Sequence, residues 1–117
     1  MIGVGKSSPI YLAKGATDLR KSIHTLAMLV QASFEMDPYN ESLYVFCNHR
    51  RNRLKILQYD RNGFWLYYKA LDSGKFAWPS ETEGVMELTE DELQWLLHGL
   101  NLMDKQALTQ PQTKFSY

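Results

Sequence analysis

Hydrophobic positions along the chain follow two different periods. Leu19, Ile23, Leu26, Ala27, Val30 and Phe34 recur at steps of three and four, so they share one helical face. Thr17 or Asp18 can cap that segment and Pro38 bars its continuation, which predicts a helix over residues 18–35. From Leu43 the spacing changes. Leu43-Tyr44-Val45-Phe46-Cys47, Leu54-Lys55-Ile56-Leu57-Gln58-Tyr59 and Phe64-Trp65-Leu66-Tyr67-Tyr68 are rich in apolar, aromatic and β-branched side chains and bounded by turn chemistry, the signature of strands. Asn48-His49-Arg50-Arg51-Asn52 joins the first run to the second. Asn62-Gly63, both tolerant of positive φ, marks a tight hairpin between the second and third. Pro9-Ile10-Tyr11-Leu12-Ala13 and Val85-Met86-Glu87-Leu88 are shorter strand candidates, and Asp72-Ser73-Gly74 turns the chain into Lys75-Phe76-Ala77-Trp78, which Pro79 ends. Thr89-Glu90-Asp91-Glu92 has the form of a capping box, with three acids at the positive end of a helix that continues through Leu93, Leu96, Leu97 and Leu100. Gly99 marks its end.

These elements predict one α+β domain over residues 9–103. Its expected core is an antiparallel meander sheet of four to five strands, with the long helix packed on one face and a shorter C-terminal helix, residues 89–99, at the edge. Residues 1–8 are small and polar and are expected to be a flexible start. Residues 104–117, polar and containing Pro111, are expected to be a disordered tail. A chain of 117 residues can bury roughly 65% of the surface it exposes when unfolded. No apolar run approaches the ~18 residues of a membrane span, and no basic stretch precedes an apolar one, so a cytoplasmic protein without membrane contact is expected. The single cysteine, Cys47, excludes an internal disulfide and a cysteine-rich zinc site.

Charge changes this picture. The 13 Lys and Arg balance the 13 Asp and Glu, which by itself argues against a nucleic-acid partner. The balance hides an asymmetry: residues 1–75 hold 11 basic and 6 acidic side chains, whereas residues 76–117 hold 2 basic and 7 acidic ones. Catalytic and metal motifs are weak. Gly3-Val4-Gly5-Lys6-Ser7 lacks the earlier glycine and preceding strand of a phosphate-binding loop. Cys47, His49, His24 and His98 lack the paired clusters of a zinc site. The carboxylates fall where turns and helix caps already favour them, so neither a metal nor another cofactor is expected. The basic residues say more. Arg50, Arg51, Arg53 and Lys55 occupy a hairpin tip and the strand leaving it, with Arg61 at the strand's other end; Tyr44, Phe46, Trp65 and Tyr67 are near enough in sequence to stack on bases. Such a turn can equally be a solvated one above a buried sheet. Arg20 and Lys21 fall in the first turn of the long helix, where the macrodipole disfavours cations and free amides favour phosphate.

The same residues carry a family resemblance. Ile10-Tyr11-Leu12-Ala13, Thr17-Asp18-Leu19-Arg20-Lys21-Ser22, Leu43 to Asn48, Arg51-Asn52-Arg53-Leu54-Lys55-Ile56-Leu57, Asp60 to Trp65 and Phe76-Ala77-Trp78-Pro79 resemble, in order, the accessory protein often called TnpB. It is encoded by the second open reading frame of the insertion sequence 66 family of bacterial transposable elements. Ser22 stands where that family usually has glycine, and the tail after Met103 extends past the common pattern. The resemblance implies a role in DNA transposition beside a separate, larger transposase. The expected function is a non-enzymatic accessory factor that contacts element DNA, the transposase, or both. Arg20, Lys21, Arg50, Arg51, Arg53, Lys55 and Arg61 are the candidate DNA contacts. A pure protein-interaction module using Trp65, Trp78 and Trp95 is the alternative, and a metal-dependent nuclease a more distant one.

Overall fold

The computed structural model describes residues 8–98. The Gly3 to Ser7 motif, Gly99, Leu100 and the expected tail lie outside the described residues. In chain order the elements are β1 (Ile10–Ala13), α1 (Ile23–Ser33), β2 (Leu43–Cys47), β3 (Arg53–Asp60), β4 (Gly63–Ala70), β5 (Val85–Leu88) and α2 (Glu90–Leu97). The five strands form one sheet in the order β4-β3-β2-β1-β5.

The α+β class holds, but the sheet is mixed rather than purely antiparallel. β2, β3 and β4 form the expected meander, and β5 lies antiparallel to β1. β1, however, runs parallel to β2, with Ile10 opposite Leu43 and Leu12 opposite Val45. The reason is the connection: α1 carries the chain back to the end of the sheet from which β1 started, as a crossover between parallel strands requires. β2 becomes an interior strand, and all five of its residues are buried.

The first helix is also shorter than its apolar pattern. It starts at Ile23 because Ser22, in extended conformation, caps it by accepting the Thr25 N–H at 3.2 Å. Leu19 packs with the same core cluster as the helix but from the preceding turn, which accounts for the overlong period. Glu35 takes a left-handed conformation (φ 53°) and the Met36 N–H turns back to the Val30 carbonyl, ending the helix before Pro38 is reached. In α2 the capping box is present as expected: the Thr89 hydroxyl accepts the Glu92 N–H, and the Glu92 carboxylate accepts the Thr89 N–H.

Strand alternation gives the sheet two buried faces. On one, Ala13, Tyr44, Phe46 and Leu57 pack against Leu26, Ala27 and Val30 of α1. On the other, Ile10, Leu12, Leu43, Val45, Leu54 and Ile56 pack against Phe76, Trp78 and the α2 residues Leu93 and Leu96. Residues 75–79 form no strand. They are fixed through the Phe76 N–H on the Arg51 carbonyl (2.7 Å) and the Trp78 indole N–H on the Ala13 carbonyl (3.1 Å). Among the described residues no helix is long and apolar enough to cross a membrane.

Candidate nucleic-acid interface

Beside α1, on the same face of the sheet, the segment before the helix and the β2–β3 turn enclose an open groove of about 1000 Å³. Odd-numbered residues of β3 face this side, as Leu57 in the α1 core shows, so Arg53 and Lys55 project into the groove. Tyr68 lies directly across the strand pair from Lys55 and joins them. Asp18, Leu19 and Arg20 line the groove from the β1–α1 segment, and Asn48, His49 and Arg50 from the turn.

Each part is held by a specific bond. The Lys55 ammonium donates to the Leu19 carbonyl at 2.6 Å and sits 5.4 Å from the Tyr68 ring centre, so β3 anchors the segment that carries Arg20. Asn48 shapes the turn: its carbonyl oxygen accepts the backbone N–H groups of Asn52 (3.1 Å) and Arg53 (3.0 Å), while its amide donates to the Asn52 side chain at 2.8 Å. Asp18 accepts the Arg20 backbone N–H and both ends of its guanidinium at 2.9 Å. That guanidinium holds the Asp18 carboxyl well below the usual carboxylate range, and the carboxylate raises Arg20 in turn. It is the one ion pair among the described residues. Arg50 and Arg53 therefore have no carboxylate partner among them, and their charges are free for an external anion.

The seven basic residues singled out from sequence separate into groups. Arg20, Arg50, Arg53 and Lys55 meet at the groove. Arg20 and Lys21 precede the Ser22 cap, so the expected placement inside the first helical turn is corrected: they sit in a turn closed by Asp18, just before the helix. Lys21 is exposed there but does not line the groove. Arg51 is half-buried and turns inward, its guanidinium donating to the Trp78 carbonyl at 3.2 Å from a left-handed backbone (φ 62°). Arg61 lies past the far end of β3, roughly 26 Å along the strand from Arg53. The expected Asn62-Gly63 turn is shifted by one residue. Asp60 pairs with Gly63, which leaves Arg61 and Asn62 as the turn residues and gives Arg61 the positive φ (59°).

The aromatic candidates divide as well. Tyr44 and Phe46 are buried in the α1 core. Trp65 is 56% exposed and stacks on Tyr67 on the opposite face of the sheet from the groove. Trp78 is buried, and Trp95 is half-buried against the second core. Tyr68, 58% exposed, is the aromatic ring at the groove, and sequence reasoning passed over it. Its signal was the strand register, because only pairing across the hairpin sets it opposite Lys55. Burial pushes the Cys47 thiol up to about 11, so at neutral pH it is a protonated core side chain. Among the described residues no three His, Cys, Asp or Glu side chains converge as a metal site would need.

A group of acids lies at the far edge of the sheet. The exposed acids Glu87, Glu90 and Asp91 lie on β5 and the start of α2, at the opposite edge from β4 and the groove.

Comparison with known proteins gives consistent relatives. Residues 8–107 match the family model described as IS66 Orf2 like protein. The chain is 32% identical over 111 residues to y4hO of Sinorhizobium fredii (strain NBRC 101917 / NGR234), covering 95% of this chain and 96% of that one. It is 33% identical over 101 residues to y4jC of the same organism, covering 86% of each. Both carry the description of uncharacterized proteins. No solved structure gives a significant match.

Proposed function

Because the chain belongs to the IS66 Orf2-like family of transposition accessory proteins, we propose that it is a non-enzymatic factor that holds DNA in the groove between the β2–β3 turn and the segment preceding α1. The observation that carries this reading is the meeting of Arg20, Arg50, Arg53 and Lys55 with an exposed Tyr68, where two of the arginines lack any carboxylate partner among the described residues. Guanidinium groups suit phosphate because their planar fork offers paired donors. A ring beside them can lie against a sugar or base. Asp18 tempers Arg20 in the free protein, and a phosphate arriving at the rim would compete for the same donors. The acidic β5 edge would face away from DNA and toward a basic surface of the separate transposase.

Trp65 supports contact with a protein partner at a different place, as an exposed ring on the face away from the groove. Such a contact is compatible with DNA in the groove. The nuclease alternative has no converging carboxylates to rest on among the described residues.

A gel shift on element-end and scrambled DNA tests the reading. The wild-type protein should retard DNA at low salt, and Arg50→Ala/Arg53→Ala should lose most of that retardation while Arg61→Ala keeps it. No shift at low salt, or a double variant indistinguishable from wild type, refutes the groove as a DNA site.

A further inference from the structure

We propose that two copies of this chain join β4 to β4, antiparallel across a two-fold axis, to make one ten-stranded sheet with both basic grooves on the same face. β4 is an edge strand of eight residues. Its protection is slight: over eight residues it has no proline, and its one charge is Lys69.

Hydrogen bonds at the strand ends fix which backbone groups of β4 point outward. The Asn48 N–H reaches the Arg53 carbonyl, so Arg53 turns its backbone toward β2, and residues 55, 57 and 59 follow by alternation. The Leu71 N–H reaches the Asn52 carbonyl, so odd-numbered residues of β4 bond β3. Phe64, Leu66, Tyr68 and Ala70 are left with N–H and C=O groups directed away from the sheet, and none of these groups bonds another described residue. An exposed row of this kind is a template for a further strand.

The sequence of β4 complements itself. Antiparallel pairing centred on Tyr67 is the register that matches all four outward residues, Phe64 with the second copy's Ala70 and Leu66 with its Tyr68. On the groove face this sets Leu66 against Tyr68. On the other face Trp65 meets the stem of Lys69, and Tyr67 meets Tyr67 at the axis. No like charges stand opposite one another. Burial of Trp65 and Tyr68, each more than half exposed in the single chain, supplies the apolar gain. A two-fold axis perpendicular to the sheet keeps each residue on its own face, so the two grooves, each lined by Leu66 and Tyr68, come side by side. The pairing stands whether or not the groove meets DNA.

Sedimentation velocity of the full chain over a concentration series tests the dimer. The wild type should pass from monomer to dimer as concentration rises. Ala70→Pro and Tyr68→Pro each delete an outward N–H without touching the β3 ladder, and by symmetry remove two interchain bonds, so each should weaken the dimer at least about tenfold. Unchanged circular dichroism shows that the variants still fold. Register is read by oxidative cross-linking: Tyr67→Cys should give a disulfide-linked dimer, since facing residues at a non-hydrogen-bonded pair are close enough, whereas Trp65→Cys should not. A monomer at every concentration, a dimer indifferent to both prolines, or linkage through Trp65→Cys alone overturns the proposal.

Discussion

Asn48 shows how one side chain can prepare a site it does not itself need to serve. Its amide makes three hydrogen bonds across the β2–β3 turn, and these set where Arg50 and Arg53 leave the backbone. Asn48→Ala would strand two backbone donors in a half-buried turn, so it should lower stability by about 1–3 kcal/mol in urea denaturation. An unchanged midpoint would show that the turn holds without it. At this scale the sequence was legible where chemistry is local. The Thr89 and Glu92 capping box is an example, since both partners lie within four residues. Arg51 was not legible in this way. In sequence it is indistinguishable from Arg50, yet the left-handed φ at its position directs it to the Trp78 carbonyl 27 residues away, while Arg50 remains at the groove.

Among the elements, the segment between β1 and α1 is decisive because it carries one wall of the groove. Gly15 enters it at φ 78°, and a Cβ there would collide with the Thr82 carbonyl. Gly15→Ala meets both a backbone penalty and a close backbone neighbour, so a loss of at least about 2 kcal/mol is expected in thermal or urea denaturation. A neutral outcome would mean that the segment moves aside without cost. Strand positions were readable from apolar and aromatic runs, and β2 and β5 coincide with theirs. The start of α1 was not readable, because Leu19 keeps the helical period while lying in a turn, and only the Ser22 cap ends the pattern. The tight hairpin was expected one residue too late, since Asn62-Gly63 is the better turn dipeptide but the β3–β4 register places Arg61 at the positive φ.

For the whole molecule, the basic groups of the groove lie on the β3 side of the sheet, and the acids Glu87, Glu90 and Asp91 lie at the β5 edge. Topology itself was hidden in the sequence. Local periodicity shows strands but not partners, and the parallel pairing of β1 with β2 spans the whole of α1. The groove depends on that pairing, because it draws the segment after β1 over β3, where Lys55 secures Leu19. Family membership indicates a part in transposition, and in the proposed function the groove is where DNA would bind. The most direct test is the salt dependence of DNA affinity by fluorescence anisotropy. Phosphate contacts release counterions, so each one lost should reduce the slope of log K against log salt by about 0.9. Arg50→Ala/Arg53→Ala should therefore flatten the slope by about 1.8 relative to wild type, with Arg61→Ala unchanged. Equal slopes for wild type and the double variant would contradict the account.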